Sequence, residues 1–278
     1  ADVVRGLPQP LQRDQMKQVY ARVMALQAAR YGKTRFGDKT PSHSAHLKRL
    51  FEDFPGARVV RITRDPRAVV RSLVRMPWAV SSRLAASFLV EVESRHVEPF
   101  YDHMLNIRFE DLLAKPHGVM MQVLDYVGEP WDNAVLNHHL HLPDDTPPMP
   151  WFQRAEQARE SFRPIDWSTH DPVEVRLLEW LTRRTMRLSN YHRAQLPTRV
   201  SRLRLFGRWL SELPAFGRSA MRVIRLARLL RNPMWDCTQE GMAMVKALNP
   251  AAWDAYPGFE WPDAPSLSEG WEQSLSDR

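Results

Sequence analysis

The chain has 278 residues, is 44% hydrophobic and 26% charged, and carries a formal net charge of +7 with a sequence pI of about 9.8; that is enough for one large domain, or one domain and a tail. A basic excess of this size favours anionic partners without choosing among phosphate, sulfate, acidic lipid and nucleic acid. The single Cys237 excludes an intramolecular disulfide framework and a Cys-cluster zinc site, and no run of 18 apolar residues predicts a membrane span.

The N-terminal "ADVVRGLPQPLQRDQ" lacks the apolar core of a signal peptide. Residues 11–30 place Met16, Val19, Tyr20, Val23 and Leu26 on one helical face, and Gly32 reads as the C-cap. "TRFGDKTP" predicts a short strand or extended segment ending at Pro41. "SHSAHLKRLFEDF" carries Leu47, Leu50, Phe51 and Phe54 at helical spacing before a Pro55-Gly56 turn. "ARVVRIT" is β-branched and reads as a buried strand. Asp65 then reads as an N-cap, with Pro66 at the first helical position.

A helix is predicted over 81–103, a strand running into a turn over "MLNIRFEDL", and a helix over "LLAKPHGVMMQVLDYVG" closed by Gly128. Residues 130–170 are Pro- and His-rich; His138, His139 and His141 lack the spacing of a metal site. "DPVEVRLLEWLTRRTMRLSNY" predicts a helix capped by Asp171 and Pro172. Strands alternating with helices imply a mostly parallel α/β sheet. Beyond Tyr191 the chain turns Arg-rich and helical. This suggests an α/β domain over 1–195 and a basic helical and irregular extension over 196–278. Within the extension, the Arg residues of 218–231 lie mostly opposite Val223, Leu226, Ala227 and Leu230. That pattern suits either packing on the domain or an anionic membrane surface.

Arg64, at the end of a strand and just before a helix start, forms a natural anion site, because helix N-terminal N–H groups and a planar cationic fork converge there. Ser72 lies seven residues past Asp65, on the same helical face. The competing reading pairs Arg64 with Asp65 or Asp111 and leaves Ser72 as a surface residue.

"FGDKTPSHSAHLKRLFEDFPGARVVRITRDPRAVVRSL" followed by "NIRFEDLLAKP" resembles the sulfotransferases that use 3′-phosphoadenosine 5′-phosphosulfate (PAPS), above all the branch with tyrosylprotein sulfotransferases and their bacterial relatives. The resemblance covers roughly residues 35–190 and implies a three-layer α/β sandwich of the P-loop nucleotide hydrolase type, N-terminally incomplete, with a helical C-terminal tail. It assigns Arg64 and Ser72 to the cofactor's 3′-phosphate and Lys39 to the neighbourhood of the transferring sulfuryl group. Phe109 stands where relatives often have a Tyr lining the nucleotide pocket, so apolar packing replaces a hydroxyl contact. Ser161 and Arg163 match a segment that reaches over the cofactor; a structural role for Arg163 is the alternative. The scheme needs no metal.

The family also wraps the 5′-phosphosulfate in a strand–Gly-rich turn–helix many tens of residues before the Asp-Lys-Thr-Pro block, whereas 37 residues precede Asp38 here. "YGKT" at 31–34 lacks a Gly at position 27, which is Gln27, and follows a predicted helix. The expectation is therefore a sulfotransferase-family chain that holds the 3′-phosphate half of the site and transfers little on its own. The alternative is a truncated or degenerate relative that binds adenosine 3′,5′-bisphosphate or a protein partner. The expected partners are the nucleotide and a hydroxyl or amine acceptor. A nucleic acid is not expected, since no aromatic interleaving or known module accompanies the arginines. The expected location is cytoplasmic, with a peripheral membrane contact through 218–231. His43, near the Asp-Lys-Thr-Pro block, is the weak candidate for a general base.

Overall fold

The computed structural model describes residues 13–76, 79–137 and 165–229, with side chains from Asp14 to Met221 within them. These residues fall into two compact units, one through Ala57 and one from Arg58 on.

In the first unit, helix α1 (Arg13–Arg30) ends as expected at Gly32, whose φ of 65° suits a residue without Cβ. The N–H of Lys33 reaches back to the Ala28 carbonyl and that of Gly32 to Ala29, closing a Schellman cap. The predicted apolar face is mostly open: Met16, Tyr20, Val23 and Leu26 are exposed. Residues 33–40 pair with no strand among the described residues. Pro41 opens a 3₁₀ turn, Pro41–His46, that leads into α2 (Leu47–Asp53). Tyr20 packs on Phe54 with ring centroids 5.7 Å apart.

The second unit is built on two parallel strands, β1 (Val60–Thr63) and β2 (Leu105–Arg108), in register Val60 to Leu105 through Thr63 to Arg108. Among the described residues the sheet has these two strands and helices dominate. Ile62 is left 58% exposed and Val60 and Arg61 are half-buried, which corrects the expectation of a buried strand. The crossover runs through α3 (Pro66–Leu73) and α4 (Arg83–Val97). Asp65 caps α3 by accepting from the Arg67 N–H, with Pro66 at the first position, where its missing donor costs nothing. Ser82 caps α4. Pro99 cuts short the helix predicted to run to residue 103, and the chain continues as a 3₁₀ turn, Glu98–His103.

After β2 the chain forms a helix rather than a turn: α5 (Phe109–Ala114). Pro116 then starts α6 (Pro116–Val127), which Gly128 ends at φ 75°. The C-terminal helices are α7 (Pro172–Leu181), α8 (Arg183–Leu188) and α9 (Arg202–Leu229). The one long helix predicted from Asp171 is broken at Thr182, whose hydroxyl donates to the Leu178 carbonyl at 2.8 Å; such back-bonding bends helices. Val70, Val80, Ala86, Val90 and Leu178 form the central apolar cluster between α3, α4 and α7. Helix α9 packs against α4 and α7, so the packing of this unit continues across the boundary expected near residue 195.

Candidate functional site

Arg64 leaves the end of β1 exposed to solvent and forms no ion pair with a described residue. Its guanidinium lies over the Phe109 ring, 5.1 Å from the centroid, a cation–π contact that orients the fork without neutralising it. Neither expected carboxylate competes: Asp65 binds Arg67, and Asp111 is 3.9 Å from Arg108. Arg64 and Phe109 line a cleft of about 60 Å³ together with Asp65, Ala68, Glu110 and Trp167.

At the start of α3 two backbone donors are used within the chain: Asp65 Oδ1 accepts the Arg67 N–H at 2.9 Å and the Asp65 N–H donates to Glu110 Oε1 at 3.0 Å. Self-capping satisfies donors that would otherwise be orphaned. The cationic fork of Arg64 is therefore the main anion-seeking group here. Ser72 sits half-buried at i+4 from Ala68 and i+7 from Asp65, on the stripe of α3 that begins at the cavity. Its hydroxyl donates to no described residue.

Beneath Arg64 lies a buried polar network that sequence reading missed. Arg67, 4% exposed, spans two carboxylates. Its Nη2 donates to Asp65 Oδ2 at 2.7 Å and its Nη1 to Glu179 Oε1 at 2.8 Å. Asp65 also accepts from Trp167 Nε1 at 2.9 Å, and the Arg67 guanidinium rests 4.8 Å from the centre of the Trp167 ring. Glu179 additionally accepts from Arg176 at 2.6 Å and from the Ala194 N–H at 2.7 Å. This network locks the cap residue beside Arg64 to α7. Two signals for it stood in the sequence: the second Arg of Arg-Asp-Pro-Arg, and an acid, Glu179, inside an apolar helix.

Glu110 joins the same frame. The Tyr191 hydroxyl donates to Glu110 Oε2 at 2.5 Å. Burial first, then the hydrogen bond to Glu110 and its charge, push the Tyr191 phenol well above its ordinary range, against a smaller opposing effect of Arg108. Arg108 covers the Tyr191 ring at 4.2 Å.

In the first unit, Lys39 is exposed and forms no ion pair with a described residue. Its neighbour Asp38 gathers three groups: the Tyr20 hydroxyl at 2.9 Å, Thr40 Oγ1 at 2.9 Å and His43 Nε2 at 3.3 Å. Burial and the Asp38 carboxylate raise the Tyr20 phenol. Ser161, Arg163 and the three His at 138, 139 and 141 lie outside the described residues.

A model of the sulfotransferase family matches residues 8–133. Over 110 residues the chain is 27% identical to protein-tyrosine sulfotransferase 1 of Danio rerio, an alignment covering 36% of this chain and 31% of that protein. The chain thus spans about a third of the length of the curated relative it matches.

Proposed function

We propose, from the match of residues 8–133 to the sulfotransferase family, that this chain's protein moves a sulfuryl group from PAPS to a hydroxyl or amine acceptor. The observation that carries the reading is Arg64: an exposed guanidinium with no ion pair among the described residues, held over an aromatic ring at the end of β1. An unpaired Arg fork suits a phosphate monoester, which it grips by two parallel hydrogen bonds. Ser72, on the same helix stripe, adds a neutral donor, and Phe109 offers an apolar face to an adenine or ribose. When bound, the nucleotide would supply an activated sulfuryl group. In the second unit Arg64 and Ser72 would fix the register of its 3′-phosphate end; in the first, the family resemblance assigns Lys39 to offset negative charge on the leaving oxygen.

The reading divides binding from turnover. "YGKT" at 31–34 is the Gly-containing turn nearest Lys39, and its Gly32 closes α1, so the N–H groups of Tyr31, Gly32 and Lys33 are spent on the helix cap. Loss of even one donor to a developing anion typically lowers a rate by about 10²–10³. This 278-residue stretch is expected to bind adenosine 3′,5′-bisphosphate and to transfer slowly by itself. The same Gly32 observation favours the second reading, a non-catalytic relative. Incubation with labelled donor and a panel of phenol, sugar and peptide acceptors separates the two: slow but measurable transfer supports the enzyme, and none at all supports the binder. The binding claim itself is tested by titrating adenosine 3′,5′-bisphosphate and adenosine 5′-monophosphate side by side. Tighter binding of the bisphosphate is expected, and equal affinities would remove the 3′-phosphate assignment.

A further inference from the structure

Helix α9 buries polar groups and leaves large apolar ones in solvent. On the side turned to α4 and α7, beside partly buried Leu205, Trp209 and Ala215, Glu212 and Ser219 are buried, Glu212 Oε1 takes Arg83 at 3.2 Å and Arg208 at 3.7 Å, and Ser219 Oγ lies 3.5 Å from Ser81 Oγ. The opposite face is apolar and open. Leu203 is 80% exposed and Phe206 55%, and Leu210, Leu213 and Met221 are exposed as well. The spacing 203, 206, 210, 213 is that of one helical stripe. An exposed, continuous apolar stripe of this kind marks an interaction surface.

The charges around the stripe identify what. Residues 196–231 contain nine Arg and one acid, Glu212. That acid is buried and already paired. The open face is therefore apolar with cationic flanks, Arg202 on one side and Arg204 and Arg218 on the other, all exposed, and with no carboxylate between them. A second copy docked on this stripe would bring guanidinium groups against guanidinium groups. A bilayer surface with anionic headgroups matches both features at once: acyl chains for the leucines and Phe206, phosphates and carboxylates for the arginines. No helix among the described residues is long and apolar enough to cross a membrane, so the contact is one of lying on the surface. We propose that α9 docks this protein on anionic lipid bilayers through Leu203, Phe206, Leu210 and Leu213, flanked by Arg202, Arg204 and Arg218. The assignment is independent of the nucleotide chemistry and moves the expected membrane segment from 218–231 to the start of the helix.

The test uses the full 278-residue chain with sedimenting vesicles of phosphatidylcholine alone and of phosphatidylcholine with about a third phosphatidylserine, at low and at physiological salt. Binding to the anionic vesicles, weakening with salt, and little binding to the neutral ones are expected. Leu203→Glu/Phe206→Glu should lower partitioning more than tenfold. Arg202→Gln/Arg204→Gln/Arg218→Gln should lower it roughly fivefold per charge removed near the surface. All five side chains are exposed, so circular dichroism of the variants should match wild type. Failure to pellet with anionic vesicles at low salt overturns the proposal. So does pelleting that neither variant changes, which would put the contact elsewhere. Concentration-dependent dimerisation abolished by Leu203→Glu, in a chain that ignores vesicles, overturns it in favour of a second copy.

Discussion

Arg67→Ala tests whether the network under the site is the clamp its geometry describes. Truncating one member of a buried ion network typically costs about 3–5 kcal/mol, because charges are left buried and unpaired. Here the carboxylates left behind keep other donors. Asp65 retains Trp167 Nε1 and the backbone N–H of residue 67, each at 2.9 Å. Glu179 retains Arg176 at 2.6 Å and the Ala194 N–H at 2.7 Å. The loss should therefore fall at the lower end, about 3 kcal/mol. Glu179→Ala should cost a similar amount, and the double variant less than the sum by about 1–2 kcal/mol, because the two residues share one interaction. Urea unfolding at pH 7 measures all three, with an unchanged m-value required for the comparison. A loss under about 1 kcal/mol in Arg67→Ala, or strict additivity with Glu179→Ala, would refute the network as a clamp.

Tyr191→Phe should cost about 1 kcal/mol at neutral pH by removing the donor to Glu110. The folded phenol is raised above the ordinary tyrosine value of about 10, so its contribution is full below that pH and fades as pH rises through the folded pKa. Wild-type stability should therefore fall more steeply above pH 10 than that of the Phe variant, as followed by denaturant midpoint against pH. Ser72→Ala should weaken adenosine 3′,5′-bisphosphate binding by about 1 kcal/mol, roughly fivefold, by calorimetric titration. Lys39→Ala should leave bisphosphate affinity unchanged and depress transfer, since the bisphosphate carries no sulfuryl group for the ammonium to meet. Asp171→Ala removes the cap that accepts the Val173 N–H at 3.0 Å and should cost about 1 kcal/mol in thermal or urea unfolding.

Local chemistry made much of the fold legible. Asp65-Pro66 and Asp171-Pro172 announce helix starts because an acidic cap and a donorless first residue suit no other place as well, and Gly32 and Gly128 announce helix ends because only they take the left-handed turn at no cost. The breaks at Pro99, Pro116 and Thr182 interrupt hydrophobic periods that continue across them, so the pattern alone runs helices together. Arg64 and its lack of an expected carboxylate partner depend on where Asp65 and Asp111 turn, which tertiary packing decides: Asp65 goes to Arg67 and Asp111 towards Arg108. The anion-binding capacity of the α3 start is reduced for the same reason, since the residue that caps the helix takes the Arg67 N–H that a ligand could use. The open apolar stripe of α9 was hidden because amphipathicity gives a helix two faces and does not say which one the core takes. Arg83 and Ser81, far away in sequence, hold the polar face of α9 inward.

The most direct measurement of the central claim is a binding cycle: adenosine 3′,5′-bisphosphate and adenosine 5′-monophosphate, each titrated into wild type and Arg64→Ala. Arg64 is exposed and forms no ion pair among the described residues, so its removal should leave the fold intact and act on the ligand alone. A charge-assisted contact to phosphate is worth about 1.5–3 kcal/mol, roughly a 10- to 150-fold loss for the bisphosphate, with the monophosphate unmoved. Equal losses for both nucleotides, or no loss for either, would contradict the assignment of Arg64 to the 3′-phosphate.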